Sequence, residues 1–502
     1  MNHSLLAFIL WTEIAGFAVA ADPPSTFCNP LSIPDYPIGV RARGVTNGAP
    51  LDEDALWLSD HQEQFRELAD PTAVWHDGKW YLYPSVDMAW VSADCGATWE
   101  HHPLNVRDIG YAPTVVKHGG RFLLMASGSP LYTSDSPLGP FAPIGRIQIP
   151  PVAGMPGFGD PMLFSDEDDR LFLYWGCTMS GGIWGAELDA NHPTKVITRP
   201  VELIPFEPAT QPWEALGDWN QDPTSGWVEG SWMLRRNGKY FLSYSAAGTQ
   251  NRTYAMGCYT AKSPLGPFSP QKRNPIFRSI DGLVTGTGHG CIVAGPEDRL
   301  WTFYTIRAGV VHGFERRLGM DRVEVDANGE LFVPSASSLP KWLPGKVRAG
   351  KSPDTGWLPI NGGQPTFAST TAANLQARFA VDNDMRTWWQ PSADDARPTL
   401  TSRFNAPAAI QAVRLIWRDL GLDTHRGVNP GPFRYRVELE TKKDQWTTVL
   451  DRAQSTDDLL IDYRECSAAV GTSARLVIIG WPEGITPGVA EFSVFGSPVR
   501  EP

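Results

Sequence analysis

Residues 70–85 read DPTAVWHDGKWYLYPS, and the same arrangement returns four more times along the chain. A polar or small residue opens each segment. A short apolar run follows, then a turn rich in Asp, Gly or Asn, then a strand dominated by aromatic and aliphatic residues. APTVVKHGGRFLLMAS occupies 112–127, DPMLFSDEDDRLFLYWG 160–176, EGSWMLRRNGKYFLSYS 229–245 and HGCIVAGPEDRLWTFYT 289–305. The opening residues lie 42, 48, 69 and 60 positions apart, a period typical of repeat architectures. Turns such as HDGK and RNGK carry residues that accept positive φ, and the strand after each alternates large apolar side chains at period two. Every unit therefore reads as a β-hairpin. The spacing suits four-stranded blades with insertions. A second echo, SPLGPF, falls at 136–141 and again at 263–268. The expected fold class is all-β: a five-bladed β-propeller at 65–335 followed by a β-sandwich of jelly-roll type.

In a propeller the innermost strands converge on the central axis. The opening residues Asp70, Ala112, Asp160, Glu229 and His289 are expected at one end of that channel, which gathers three carboxylates and a histidine from distant parts of the chain. Trp227 and Tyr111 flank this column and suit either stacking on a sugar ring or plain packing. Inverting hydrolysis of a glycosidic bond needs this kind of inventory. A carboxylate base activates water, and a protonated acid about 6.5–9.5 Å away serves the leaving oxygen. A neighbouring carboxylate keeps the acid protonated by like-charge repulsion.

Bulk properties fit that direction. The 502 residues call for two or three domains. A net charge of −12 without a basic run argues against nucleic acid or an anionic membrane surface as partner. The chain holds 48 Gly, 44 Pro and 20 Trp, a composition suited to an all-β protein that handles sugars. Residues 1–20 read as a signal peptide: Leu5 to Trp11 is apolar and Ala18-Val19-Ala20 offers a cleavage site. No segment is long enough for a membrane span, so the expected location is secreted or periplasmic. Residues 21–64 form an N-terminal extension. Six cysteines without CxxC spacing argue against a zinc site or a dense disulfide scaffold and leave room for one disulfide of unreadable pairing. The acidic run Asp166 to Asp169 resembles a calcium loop in composition but lacks its ligand spacing, so it reads as a hairpin turn.

The column with its flanking residues resembles glycoside hydrolase family 43. The resemblance covers roughly 65–335 and implies a role for each residue. The first-blade Asp-Pro, Asp70, corresponds to the base. The third-blade Asp-Pro before a strand ending Tyr-Trp-Gly, Asp160, corresponds to the residue that modulates and orients the acid. The fourth-blade Glu-Gly, Glu229, corresponds to the acid. Gly-His-Gly places His289 as the axial histidine, and GFERRLGMDR suggests Arg316 as a substrate contact. The family often has Ala-Pro-Asp in the second blade, where this chain has Ala112-Pro113-Thr114. No cofactor is implied as required, although the resemblance leaves room for a structural Ca2+ near His289. Ser92 to Trp99 resembles the Asp-box of sialidases, a hairpin stabiliser. One such box without an arginine cluster argues against a sialidase.

Residues 336–357, rich in Pro, Ser, Gly and Lys, read as a linker. Beyond it, AIQAVRLIWRD, FRYRVELET, QWTTVLDRA, ARLVIIGW and AEFSVFG are strands of an antiparallel sandwich at 358–502. AVDNDMRTWWQPS and GVAEFSVFG resemble the discoidin-like, coagulation-factor type C family, whose domains bind glycans or serve as packing partners. Trp388 and Trp389 lie inside the motif and read as core. The expected activity is an exo-acting α-L-arabinofuranosidase on plant-type polysaccharide, acting as a monomer. β-Xylosidase, galactofuranosidase and exo-β-galactosidase by the same mechanism are alternatives, as is a non-catalytic carbohydrate-binding protein.

Overall fold

The computed structural model describes residues 24–35, 65–106, 109–347, 352–423 and 426–499, together with the short strand pair 45–46 and 49–50. The segment read as a signal peptide, 1–20, lies outside the described residues.

Five antiparallel sheets form the blades of a propeller. Their innermost strands are Thr72–His76, Thr114–His118, Met162–Ser165, Trp227–Arg236 and Cys291–Ala294. We number the blades I to V in that order. The hairpin turns have the backbone that the sequence calls for: Asp77 and Gly78 at φ 49° and 74°, Asn237 and Gly238 at φ 51° and 72°. In the second acidic turn Asp169 stands at φ 60°. There Asp166 accepts hydrogen bonds from Tyr240 at 2.5 Å and Arg235 at 3.1 Å, so the run is a braced hairpin turn. The Asp-box residues do the same in blade I, where Thr98 N–H and Oγ1 donate to Asp94 at 2.9 and 2.6 Å.

One feature differs from simple alternation. The second strands, Lys79–Tyr83 and Leu171–Trp175, are buried on both faces. Each blade is covered by a neighbour on either side, so period two marks which blade a side chain packs against rather than a wet and a dry face.

The C-terminal region is a seven-stranded antiparallel sheet whose longest strands run Thr399–Leu420, Ile461–Gly480 and Thr486–Pro498. Register shifts at Arg403/Ala408 and Ile410/Ala412 accompany the longest strand's pairings, where bulges let a sheet bend over its own core. Trp389 is fully buried and Trp388 partly buried, in agreement with the core reading. The stretch read as a linker is not a free spacer. Lys341–Trp342 pairs with Thr26–Phe27, and the Lys341 ammonium is buried against Asp321. One continuous apolar cluster joins Phe27 and Leu31, blade residues Trp80, Trp90 and Phe303, and Trp417 and Phe492 of the C-terminal sheet. Propeller and C-terminal domain therefore share a core. Among the described residues no helix is long and apolar enough to cross a membrane.

Candidate active site

The five blades present their opening residues to the axis through an unusual backbone. Asp70, Ala112, Asp160 and His289 have φ of 51°, 54°, 47° and 42°, the left-handed region that non-glycine residues avoid. Such strain costs on the order of 1–3 kcal/mol per residue and persists where surrounding contacts enforce it. Those contacts recur at four of the five junctions between neighbouring blades. The Ala112 N–H donates to Ser85 Oγ at 3.0 Å, Asp160 N–H to Ser127 Oγ at 3.0 Å and His289 N–H to Ser245 Oγ at 2.7 Å. Asp70 N–H donates to Thr305 Oγ1 at 2.9 Å, which closes blade V onto blade I. Each hydroxyl lies within two residues of the end of the second strand of the preceding blade. Ser85, Ser127, Ser245 and Thr305 are the last residues of their quoted repeats, a signal the sequence carried unread.

Blade IV departs from the expected column. Its residue in the left-handed position is Gly230, at φ 59°, and not Glu229. A register shift between Glu229 and Trp232 inserts an extra residue, so the Glu229 side chain enters from one step earlier. Glycine is needed here twice over: a Cβ on Gly230 would lie 2.8 Å from His289 Cγ. Gly230→Ala is therefore expected to lower stability by about 1–3 kcal/mol and to displace the His289 ring. Gly238→Ala has a similar φ of 72° but nothing within 4 Å. It should bear the backbone cost alone and leave activity intact, so denaturant midpoints and kcat for the pair separate clash from strain.

Asp70, Asp160 and Glu229 are all buried and meet at the axis. His289 Nδ1 lies 3.3 Å from Asp70 Oδ1 and 3.6 Å from Asp160 Oδ2. Atoms of Asp160, Glu229 and Cys177 approach within 4.8 Å of one another. Burial would raise the pKa of Asp70. The Arg316 guanidinium, donating at 2.8 Å to Oδ1, and Ser85 Oγ, donating at 2.9 Å to Oδ2, help to overcome it. Asp70 is held below its ordinary value.

The other two carboxyls go the opposite way. Burial, then the charges of Glu229 and Asp70, push Asp160 well above the ordinary range. Burial, with repulsion from Asp70, lifts Glu229 to about 7 against the lowering effect of a hydrogen bond from Tyr254. Neighbouring buried carboxyls do not both ionise readily, so the pair keeps a proton near neutral pH. The source of the shift differs from the sequence expectation, in which repulsion by a neighbouring carboxylate enforces the acid's proton: burial comes first, and the repelling charge is that of Asp70. Burial lowers the pKa of His289, which keeps its imidazole neutral.

Three further residues complete the site, two of them, Tyr254 and Glu67, without a repeat signal to announce them. Tyr254 OH donates to Glu229 Oε1 at 2.5 Å. Cys177 Sγ lies 3.5 Å from Glu229 Oε2, and burial raises its pKa, so it stays a neutral thiol. Glu67 accepts from Arg316 Nε at 2.5 Å. Trp227 donates its indole N–H to Cys177 Sγ at 3.3 Å, and Tyr111 OH donates to Glu67 Oε2 at 3.4 Å. Arg316, expected at the substrate, is buried with only 4% of its side chain exposed and is bonded to Asp70 and Glu67. Thr114, where the resemblance would often place Asp, is buried and accepts from Leu163 N–H at 3.1 Å.

Calcium favours six to eight oxygen ligands. Besides His289, only Asp70 and Asp160 among the described residues bring ionisable side chains to the axial cavity, whose roughly 20 Å³ suits a single water-sized occupant. Those ionisable side chains alone supply fewer oxygens than a calcium cage takes.

Residues 84–331 match the sequence model of the family described as "Glycosyl hydrolases family 43". The chain is similar to a β-D-galactofuranosidase, xynD, of Aspergillus niger, with 28% identity over 45% of this chain and 69% of the relative. It is also similar to a β-xylosidase of Xylanibacter ruminicola, with 27% identity over 43% of this chain and 82% of the relative. A crystal structure of a thermostable family-43 glycoside hydrolase aligns with TM-score 0.46 and 22% identity, covering 64% of this chain and 99% of that one.

Proposed function

We propose, from the premise that the propeller is a family 43 glycosyl hydrolase domain, that this glycosidase removes a terminal sugar with inversion, using Asp70 as base and Glu229 as acid. The observation that carries the assignment is the split in proton affinity. Arg316 and Ser85 help to hold Asp70 ionised, while burial keeps a proton on the Asp160/Glu229 pair. Opposed environments for neighbouring carboxyls mark acid and base. In the proposed reaction Asp70 takes a proton from water as that water attacks the anomeric carbon. Glu229 gives its proton to the departing glycosidic oxygen, and Asp160 orients Glu229 and maintains the shared proton. His289 links the two halves, and Trp227 and Tyr111 face the sugar beside them. No step calls on a metal.

The substrate we favour is an α-L-arabinofuranosyl end of a plant-type polysaccharide, ahead of a β-xylosyl or galactofuranosyl end. An exo pocket is supported by the insertion before Glu229. Thr253 Oγ1 donates to Gly217 O at 2.6 Å and Arg252 N–H to Asp218 Oδ1 at 2.8 Å. These contacts dock the insertion beside Tyr254, with Trp219 standing 70% exposed on it. The proposal includes export by the segment at 1–20, a monomeric enzyme, and a discoidin-like class for the C-terminal domain.

The test is turnover of aryl arabinofuranoside, xyloside, galactoside and galactofuranoside, with a proton NMR time course on the substrate cleaved. The first-formed sugar should have the opposite anomeric configuration. Retention would overturn the mechanism, and sugar release from a chain blocked at its non-reducing end would overturn the exo reading.

A further inference from the structure

We propose that the C-terminal β domain sets the position of Arg316, the arginine bonded to Asp70, with Arg418 and Asp419 as positioning residues for the propeller's chemistry. The inference rests on the assignment of Asp70 as base.

Two short segments carry the argument. At 66–67 and at 315–316, consecutive residues send their side chains in opposite directions, as extended backbone requires. Glu67 and Arg316 turn inward: Arg316 Nε donates to Glu67 and Arg316 Nη1 to Asp70 Oδ1 at 2.8 Å. Arg66 and Glu315 turn outward, onto the C-terminal domain. Arg66 donates through Nε to Asp419 Oδ2 at 3.2 Å and through Nη1 to Asp458 Oδ2 at 2.6 Å. Glu315 Oε1 accepts from Arg418 Nη1 at 2.9 Å, both side chains buried. Its Oε2 accepts from the N–H groups of Val310 and Val311 at 2.7 and 3.0 Å.

The two segments are also tied to each other. Leu68 N–H donates to Arg316 O at 3.1 Å, and the Arg317 guanidinium binds Arg66 O. Each peptide that presents a member of the Glu67–Arg316 pair is thus gripped on its other side by a charge of opposite sign from the C-terminal domain. Arg418 and Asp419 are adjacent on the strand Thr399–Leu420 and serve both segments at once. Arg418 further holds Met385 O of its own domain and lies 3.4 Å from Ala308 O of the propeller. A domain that merely packed could do so through the shared apolar core. Buried ion pairs at these two segments add direction, because they fix where residues 67 and 316 sit.

The experiment uses the full chain and the aryl glycoside that the panel above identifies. It compares Arg418→Ala, Arg418→Lys, Asp419→Asn and Asp70→Asn by kcat, KM, unfolding temperature and the pH dependence of kcat. In Arg418→Ala, kcat should fall about tenfold with KM little changed. Its acidic limb should move up by about one pH unit, because Asp70 loses part of its hold from Arg316. Arg418→Lys should restore both. Asp419→Asn should move the same limb through Arg66 and Glu67, and supplies the test if Arg418→Ala does not fold. A folded Arg418→Ala with an unmoved acidic limb overturns the proposal, even if kcat falls. Wild-type turnover in Asp70→Asn instead overturns the base assignment itself.

Discussion

Asp70→Asn should fold and should lose turnover on every glycoside, activated or not, by about three to four orders of magnitude. The reason is that the attacking water needs a base whatever the leaving group is. Asn keeps the shape: its Oδ1 can still accept from Arg316, and its amide nitrogen can donate to the Ser85 hydroxyl oxygen, which turns its own proton away, so packing changes little while the proton acceptor is gone. Glu67 remains as an acidic partner for Arg316, which limits the cost of removing one buried charge. The wild-type pH profile carries the same assignment with a definite sign. The base works when ionised, so rate falls as pH drops through the pKa of Asp70, which lies below the ordinary carboxylate value. The acidic limb should therefore sit low, and it should vanish with Asp70→Asn. A variant that keeps wild-type rates on both substrate kinds would remove Asp70 as base.

The blades were legible because each is specified locally. A turn that accepts positive φ lies next to a dense apolar strand, and the pattern returns five times. Asp70, Asp160 and Glu229 could be picked out for the same reason, since a shared register is visible without knowing any contact. What could not be read is whatever depends on a partner far along the chain. Glu67 joins Arg316 across 249 positions, and Arg418 joins Glu315 across 103. Tyr254 lies in the connection 248–254, outside the repeated segments. Gly230 shows a subtler limit. The segment WVEGSW offers only its glycine as the sign of a bulge, and the carboxylate beside it matches the column's residue type, so Glu229 was placed in the column although it sits one residue before it. Cys177 follows the end of its repeat where the other blades have Ser or Thr, and comparison of those ends would have found it. Arg316 was picked out from its motif as a contact to substrate, yet only its burial beside Asp70 shows what it holds.

Glu229→Gln should separate substrates by their leaving groups, which Asp70→Asn does not. On aryl glycosides with activated leaving groups the departing oxygen needs little proton help, and kcat should fall by less than about tenfold. On an unactivated oligosaccharide the loss should approach about three orders of magnitude, because the amide cannot deliver a proton. Gln can still accept from Tyr254 at Oε1, although its amide nitrogen would face Cys177, so packing changes little. The basic limb is the second readout. The acid works when protonated, and Glu229 is lifted to about 7, so wild-type rate on the unactivated substrate should fall as pH rises through that value. With Glu229→Gln the fall should disappear from the activated substrate as well, since no proton remains to be lost. Equal losses on both substrates would contradict the acid assignment. They would place the proton on Asp160 instead, the other member of the pair that burial keeps protonated.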